Sequence, residues 1–177
     1  MTTIALIVAA GKGLRTGMSF PKQYAEIAGK TILRRCIDAF LDHPSVDNIC
    51  VVVSEADMEL YDEATKDLDL LPAVIGGAER QKSVRNGLES LTDLSPEFVL
   101  IHDAARPFVS EALISRCIDK LQTGQAVLPA LPLIDSLKTF SDGRITGSVN
   151  RDEIVAAQTP QGFAFAHILA AHRTFDG

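Results

Sequence analysis

The sequence predicts an α/β protein: a Rossmann-like, mostly parallel sheet with helices on both faces and a protruding β-hairpin arm. Three observations carry the prediction. Short continuous apolar runs alternate with stretches whose apolar residues recur at helical spacing, as buried parallel strands and crossover helices do. The connections are short, and no internal repeat, low-complexity tract or linker interrupts the 177 residues, so 1–177 reads as one domain. Late in the chain, two alternating segments flank an Asp-Gly pair, which marks a tight hairpin.

Residues 4–8 (IALIV) are apolar throughout, as a strand covered on both faces must be. From Thr31 the residues Ile32, Leu33, Cys36, Ile37, Phe40 and Leu41 repeat at helical spacing, and His43-Pro44 ends that helix. Residues 48–53 (NICVVV) form the next buried strand. Ser54 is placed as the N-cap of an acidic helix, with Asp57 three positions on. Residues 73–75 make a short strand that stops at Gly76-Gly77, and Val84, Leu88 and Leu91 mark one face of the following helix. Residues 98–101 form a strand running into His102-Asp103. Ser110 caps a helix with the stripe Ile114, Cys117, Ile118 and Leu121. Residues 126–133 are read as one strand interrupted by Pro129 and Pro132. The arm covers about residues 135–155, with IDSLKTF and ITGSV joined through SDGR. A lone hairpin is marginal in water, so the arm is expected to rest on another surface. A last helix is placed at 161–173.

Composition narrows the function. With 46% hydrophobic and 23% charged residues the chain is ordinary for a globular protein, and its net charge of −6 argues against a nucleic-acid partner. Cys36, Cys50 and Cys117 are odd in number and show no CxxC spacing, which fits free thiols in a reducing compartment. No apolar run approaches a membrane span, and Met1-Thr2-Thr3 leads straight into a strand, so a cytoplasmic protein without membrane contact is expected.

In parallel sheets ligands bind at the carboxyl ends of strands, near a switch in strand order. That rule selects the loops after Val8, Ile75 and Ile101. The first carries AAGKGLRTG and then PKQY. It matches neither G-x-x-x-x-G-K-[S/T] nor G-x-G-x-x-G, because Gly11, Gly13 and Gly17 are spaced G-x-G-x-x-x-G. Its glycines still let backbone N–H groups approach an anion, with Arg15 and Lys22 adding charge. The bland alternative is a glycine turn with two surface cations. The second loop, GGAERQKSV, opens a helix with free amides and Arg80, Lys82 and Ser83, and taken alone it reads rather as a helix start with solvated charges. In the third, HDAARP, an aspartate closing a buried strand faces a metal or a cation, and a pairing of Asp103 with Arg106 alone would satisfy it. His102 reads as a packed, hydrogen-bonded residue, since no second histidine stands at ligand spacing. No nucleophile with a base stands out. Together the loops suit transfer of a phosphorus-containing group with Mg²⁺ held by carboxylate and phosphate oxygens.

AAGKGLR followed by PKQY, then GGAERQKSV, HDAARP and finally QTPQ resemble the 2-C-methyl-D-erythritol 4-phosphate cytidylyltransferase family, in order and spacing from Ile4 to about Phe163. AAGxGxR is shared by nucleotidyltransferases generally, whereas PKQY with HDAARP is much narrower. The resemblance implies transfer of the cytidylyl group of CTP to methylerythritol phosphate with release of pyrophosphate. By the same resemblance Arg15 and Lys22 are catalytic at the α-phosphate, and Ala9, Ala10, Gly11 and Gly13 wrap the nucleotide. Gly77, Ala78 and Ser83 read cytosine, although the family often carries Asp where Ala78 stands. Asp103 sits beside Mg²⁺ (or another divalent cation) and the nucleotide. Arg106, Ser136, Arg151 and Thr159 serve the acceptor, Ser136 and Arg151 through an arm that crosses a homodimer. The family's threonine-aspartate motif, further strand and phosphate-positioning lysine are not found before Gly177, so the sequence is expected to be the front part of a longer or fused chain. Two alternatives stand beside this reading: a ribitol 5-phosphate cytidylyltransferase, and a CTP-binding dimeric domain without turnover.

Overall fold

The computed structural model describes residues 1–11 and 20–175. The central strand is β1 (Thr3–Val8), which pairs in parallel with β4 (Asn48–Val53) on one side and β6 (Phe98–Asp103) on the other. β5 (Val74–Ile75) extends the sheet beyond β4. On the other flank β12 (Gln161–Ala164) runs antiparallel between β6 and the short edge strand β7 (Ala126–Val127). The order β5-β4-β1-β6-β12-β7 places the switch in winding direction between β1 and β6.

Alternation along the strands divides the core by face. Ala5, Ile7, Ile49, Val51, Val53 and Leu100 meet α1 (Ile32–Leu41), α2 (Met58–Thr65) and α4 (Glu111–Leu121) through Leu33, Phe40, Tyr61, Ile114 and Leu121. Ile4, Leu6, Cys50, Val52, Val99 and Ile101 meet α3 (Arg80–Ser90) and α5 (Phe165–Thr174) through Val84, Leu88, Phe165 and Leu169. Thr31 and Ser110 cap α1 and α4, accepting from the amides of Arg34 at 3.1 Å and Leu113 at 3.3 Å.

Four expectations are corrected. Ser54 makes no capping bond: Glu55–Asp57 form a 3₁₀ turn first, and α2 starts only at Met58. Residues 126–133 are two strands. β7 joins the main sheet, and β8 (Ala130–Pro132) leaves it to pair with β11 (Val155–Ala157), because Pro129 lacks the N–H that a continuing ladder needs. Residues 161–164 are strand rather than the first turn of a helix, since they are held between β6 and β7 and α5 begins at Phe165. The strand at 98–101 continues to Asp103.

A further small ladder, β2 (Glu26–Ile27) with β3 (Lys30–Thr31), precedes α1. The arm rises from the β8–β11 base as β9 (Lys138–Ser141) and β10 (Arg144–Ser148). Its turn places Asp142 at φ 50° and Gly143 at φ 76°, the left-handed pair that an Asp-Gly hairpin requires. The arm and its base leave Ile134, Phe140 and Ile145 exposed by 86%, 70% and 69%, so none of the described residues covers them.

Candidate active site

The three loops selected from the sequence converge at the carboxyl ends of β1, β5 and β6. Backbone bonds extend the ladders past the strands: Ala9 N–H donates to Val52 O at 2.7 Å, Gly76 N–H to Val53 O at 2.8 Å and Ala104 N–H to Val8 O at 3.1 Å. The first and second loops are in van der Waals contact. A Cβ at Gly76 would collide with Ala10 Cβ and stand 2.9 Å from Ser83 Oγ, so only glycine allows this approach. Ala9 is buried, Ala10 half-buried and Gly11 exposed at the mouth. Gly13 and Arg15 lie outside the described residues.

Ser83 is buried and shapes the second loop from beneath. Its Oγ accepts from the Gly77 amide at 3.0 Å and donates to Glu79 O at 3.0 Å, leaving Ala78 exposed above it. The second and third loops are joined by charge. Asp103 Oδ1 accepts from Arg80 Nη2 at 2.9 Å and Nε at 3.0 Å, and Oδ2 lies 3.5 Å from Arg106 Nε. Arg80 and Arg106 are 48% and 44% exposed against 31% for Asp103, so these pairs add little stability and act mainly to orient. Arg106 also donates through Nη1 to Gln158 Oε1.

Beneath Asp103 lies a closed polar chain. His102 is fully buried and stacks edge-on against Phe40, with ring centroids 5.0 Å apart. Its Nε2 is 3.0 Å from Arg106 O, and its Nδ1 is 3.0 Å from Thr159 Oγ1. Only one assignment satisfies both contacts with a neutral ring: Nε2–H donates to the carbonyl, and Nδ1 accepts from the threonine hydroxyl. Thr159 Oγ1 then accepts from the Asp103 amide at 3.4 Å. Burial pulls His102 down to about 4, so the ring is neutral at physiological pH. Thr159 is itself buried, its hydroxyl committed to this chain rather than turned toward an open cleft.

Lys22 opens a 3₁₀ turn (Lys22–Tyr24) and is half-buried. The next residue, Gln23, is buried, and its side chain bonds to the first loop. Ser136 and Arg151 stay on the arm: Ser136 is exposed and Arg151 Nη1 donates to Ile134 O at 2.7 Å. Sequence reasoning overlooked Gln23, Gln158 and the pairing of Arg80 with Asp103, although PKQY, QTPQ and GGAERQKSV had each been singled out. Among the described residues, two guanidiniums, one carboxylate and glycine-lined backbone gather at a topological switch point. Such a set suits binding and orienting a polyphosphate.

Comparison with known proteins agrees with this geometry. The family profile described as 2-C-methyl-D-erythritol 4-phosphate cytidylyltransferase matches residues 3–176. The chain is 50% identical over 174 residues to a "Bifunctional enzyme IspD/IspF" of Rhodospirillum rubrum, covering 98% of this chain and 45% of that protein. It is 46% identical over 175 residues to the protein of the same description from Paramagnetospirillum magneticum, covering 99% of this chain and 46% of that one. It therefore spans less than half the length of these curated relatives. Among solved structures, 4-diphosphocytidyl-2C-methyl-D-erythritol synthase from Anaerococcus prevotii superimposes with a TM-score of 0.83 at 32% identity, covering 97% of this chain and 74% of that one. With profile, relatives and fold in accord over nearly all its residues, the chain belongs to the 2-C-methyl-D-erythritol 4-phosphate cytidylyltransferase family.

Proposed function

We propose that this chain transfers the cytidylyl group of CTP to 2-C-methyl-D-erythritol 4-phosphate in the non-mevalonate route to isoprenoids. The observation that carries the reading is the convergence of the Ala9–Gly11 backbone and the Arg80–Asp103–Arg106 cluster at one switch point, with Lys22 preceding the Gln23 that bonds to that backbone. An acceptor phosphate oxygen attacks the α-phosphorus of CTP in line. The new P–O bond forms as the bond from the α-phosphorus to the bridging oxygen breaks, and pyrophosphate departs with that electron pair. Lys22 and Arg15 neutralise charge on the α-phosphate as it builds. The Ala9–Gly11 and Gly13 backbone wraps the nucleotide, and Gly77, Ala78 and Ser83 form the wall that selects cytosine by size.

Asp103 suits a divalent cation. It offers one hard oxygen ligand at the mouth, and Mg²⁺ is commonly held by one or two carboxylates with substrate phosphates. Among the described residues no group of three or more His, Cys, Asp or Glu side chains is gathered for a metal, so Asp103 would share the ion with the nucleotide. Bound there, Mg²⁺ would neutralise phosphate charge. Arg106 orients the acceptor, and Thr159 acts on the site by holding the Asp103 amide. Ser136 and Arg151 serve an acceptor across a homodimer, and the apolar residues that the described chain leaves exposed on the arm support that assembly. No described helix is long and apolar enough to cross a membrane, and the three buried free thiols suit a cytoplasmic setting.

The first test is thermal stabilisation by CTP, UTP, ATP and GTP with Mg²⁺, followed by pyrophosphate release with methylerythritol phosphate against ribitol 5-phosphate. Selective stabilisation by CTP and turnover with the first acceptor are expected. Lys22→Ala is expected to keep the thermal midpoint and lose turnover. A response to ATP or UTP equal to that for CTP would overturn the nucleotide assignment, and a preference for ribitol phosphate would overturn the acceptor.

A further inference from the structure

Gln23 is 4% exposed, and its Nε2 donates to two backbone carbonyls, Ala9 O at 2.6 Å and Gly11 O at 3.2 Å. Both carbonyls belong to the chain leaving β1, and Gln23 follows directly on Lys22 in the 3₁₀ turn. One side-chain amide therefore ties the two ends of the first loop together at its base.

The chemistry is selective. A carboxamide carries two N–H donors on one uncharged nitrogen, which matches two convergent carbonyls without burying a charge. The contact also sets the polarity of the backbone. A carbonyl drawn toward a buried side chain turns its negative end inward. Across the planar trans peptide the N–H of Ala10 is directed the opposite way from the Ala9 carbonyl. The positive end of that peptide is thus presented away from Gln23, the orientation an incoming phosphate requires.

We propose that Gln23 is a positioning residue for the nucleotide. It fixes the polarity of the Ala9–Gly11 peptides and keeps Lys22 in register with them, so it acts through groups that touch the phosphates without touching them itself. This rests on the cytidylyltransferase reading above.

The test uses the full chain with Gln23→Glu and Gln23→Met. The first keeps the shape and replaces donors by acceptors, and the second keeps the approximate volume and removes all polarity. For each protein the Kd for CTP with Mg²⁺, the KM for CTP and for methylerythritol phosphate, and the urea midpoint are measured. In Gln23→Glu the Kd and KM for CTP are expected to rise about tenfold or more, as an oxygen facing two carbonyls undoes the arrangement. The acceptor KM is expected to stay within about twofold, and Gln23→Met to fall between the extremes. Should Gln23→Glu not fold, a rise in Kd for CTP in Gln23→Met carries the proposal. Folded variants with native Kd for CTP, or with both KM values raised alike, would show that Gln23 is only a packing residue. A native chain that binds no nucleotide would overturn the functional reading itself, and this inference with it.

Discussion

His102 makes the fold acid-sensitive in a way that can be measured against a single substitution. Acid is the perturbation. Burial holds the folded ring near 4 against about 6.5 in an unfolded chain, so the unfolded state takes up the proton first. The stability contributed by the neutral ring is complete above about pH 6.5 and is lost as the pH falls toward 4. The interval is worth about 3 kcal/mol in all, of which about 2 kcal/mol is gone by pH 5. Because His102 is fully buried, solvent screening does not reduce this figure. The protonated ring would also place a second N–H against Thr159 Oγ1, where the neutral ring accepts. The assay is urea unfolding at several pH values from about 7 to about 5, on the native chain and on His102→Gln, which keeps one donor and one acceptor but cannot titrate. His172, whose own value is lowered by burial and by nearby Arg85 and Arg80, is common to both proteins and cancels. The stability difference between the two should shrink by about 2 kcal/mol over that range, always to the disadvantage of the native chain. Parallel curves would refute the neutral, doubly bonded ring.

Two further outcomes follow from the packing. Gly76→Val should raise the Kd for CTP about tenfold and cost roughly 1–3 kcal/mol, because its side chain drives the second loop off Ala10 and Ser83; calorimetry and nucleotide titration check both, and a tolerated substitution would mean the loops are not in contact. The thiols of Cys36 and Cys50, pushed up by burial to about 12 and about 11, should resist a thiol-labelling reagent in the native chain, with all three cysteines reacting only after unfolding; prompt labelling of either would contradict the closed sheet faces.

The parts of the fold that could be read in advance are those where side-chain pattern alone decides. The runs at β1, β4 and β6 are apolar on both faces because helices cover both, and the stripes of α1 and α4 show the same core from the other side. β12 was unreadable for the opposite reason. Its four residues QGFA carry no alternation, and what makes them a strand is the gap between β6 and β7, supplied by tertiary structure. The site divides the same way. Loops at the carboxyl ends of strands follow from sheet topology, so Asp103 and the glycines could be singled out. His102 could be read as packed and hydrogen-bonded, but its partners could not be named, nor could Gln23 be given a role, since those partners are backbone carbonyls and a threonine 57 residues away.

The central place of β1 also has a kinetic consequence. No strand of the main sheet pairs with its immediate neighbour through a tight turn: Ile4 must find Asn48, Thr3 must find Phe98, and Ile101 must find Gln161. Loop closure over such distances is entropically costly before any contact rewards it, so the sheet condenses slowly. During that interval the apolar run of β1 has two open edges available to other chains. Recovery of native protein on refolding is therefore expected to fall as chain concentration rises, and the cleft is complete only once the QTPQ segment has brought Gln158 and Thr159 to Arg106 and His102.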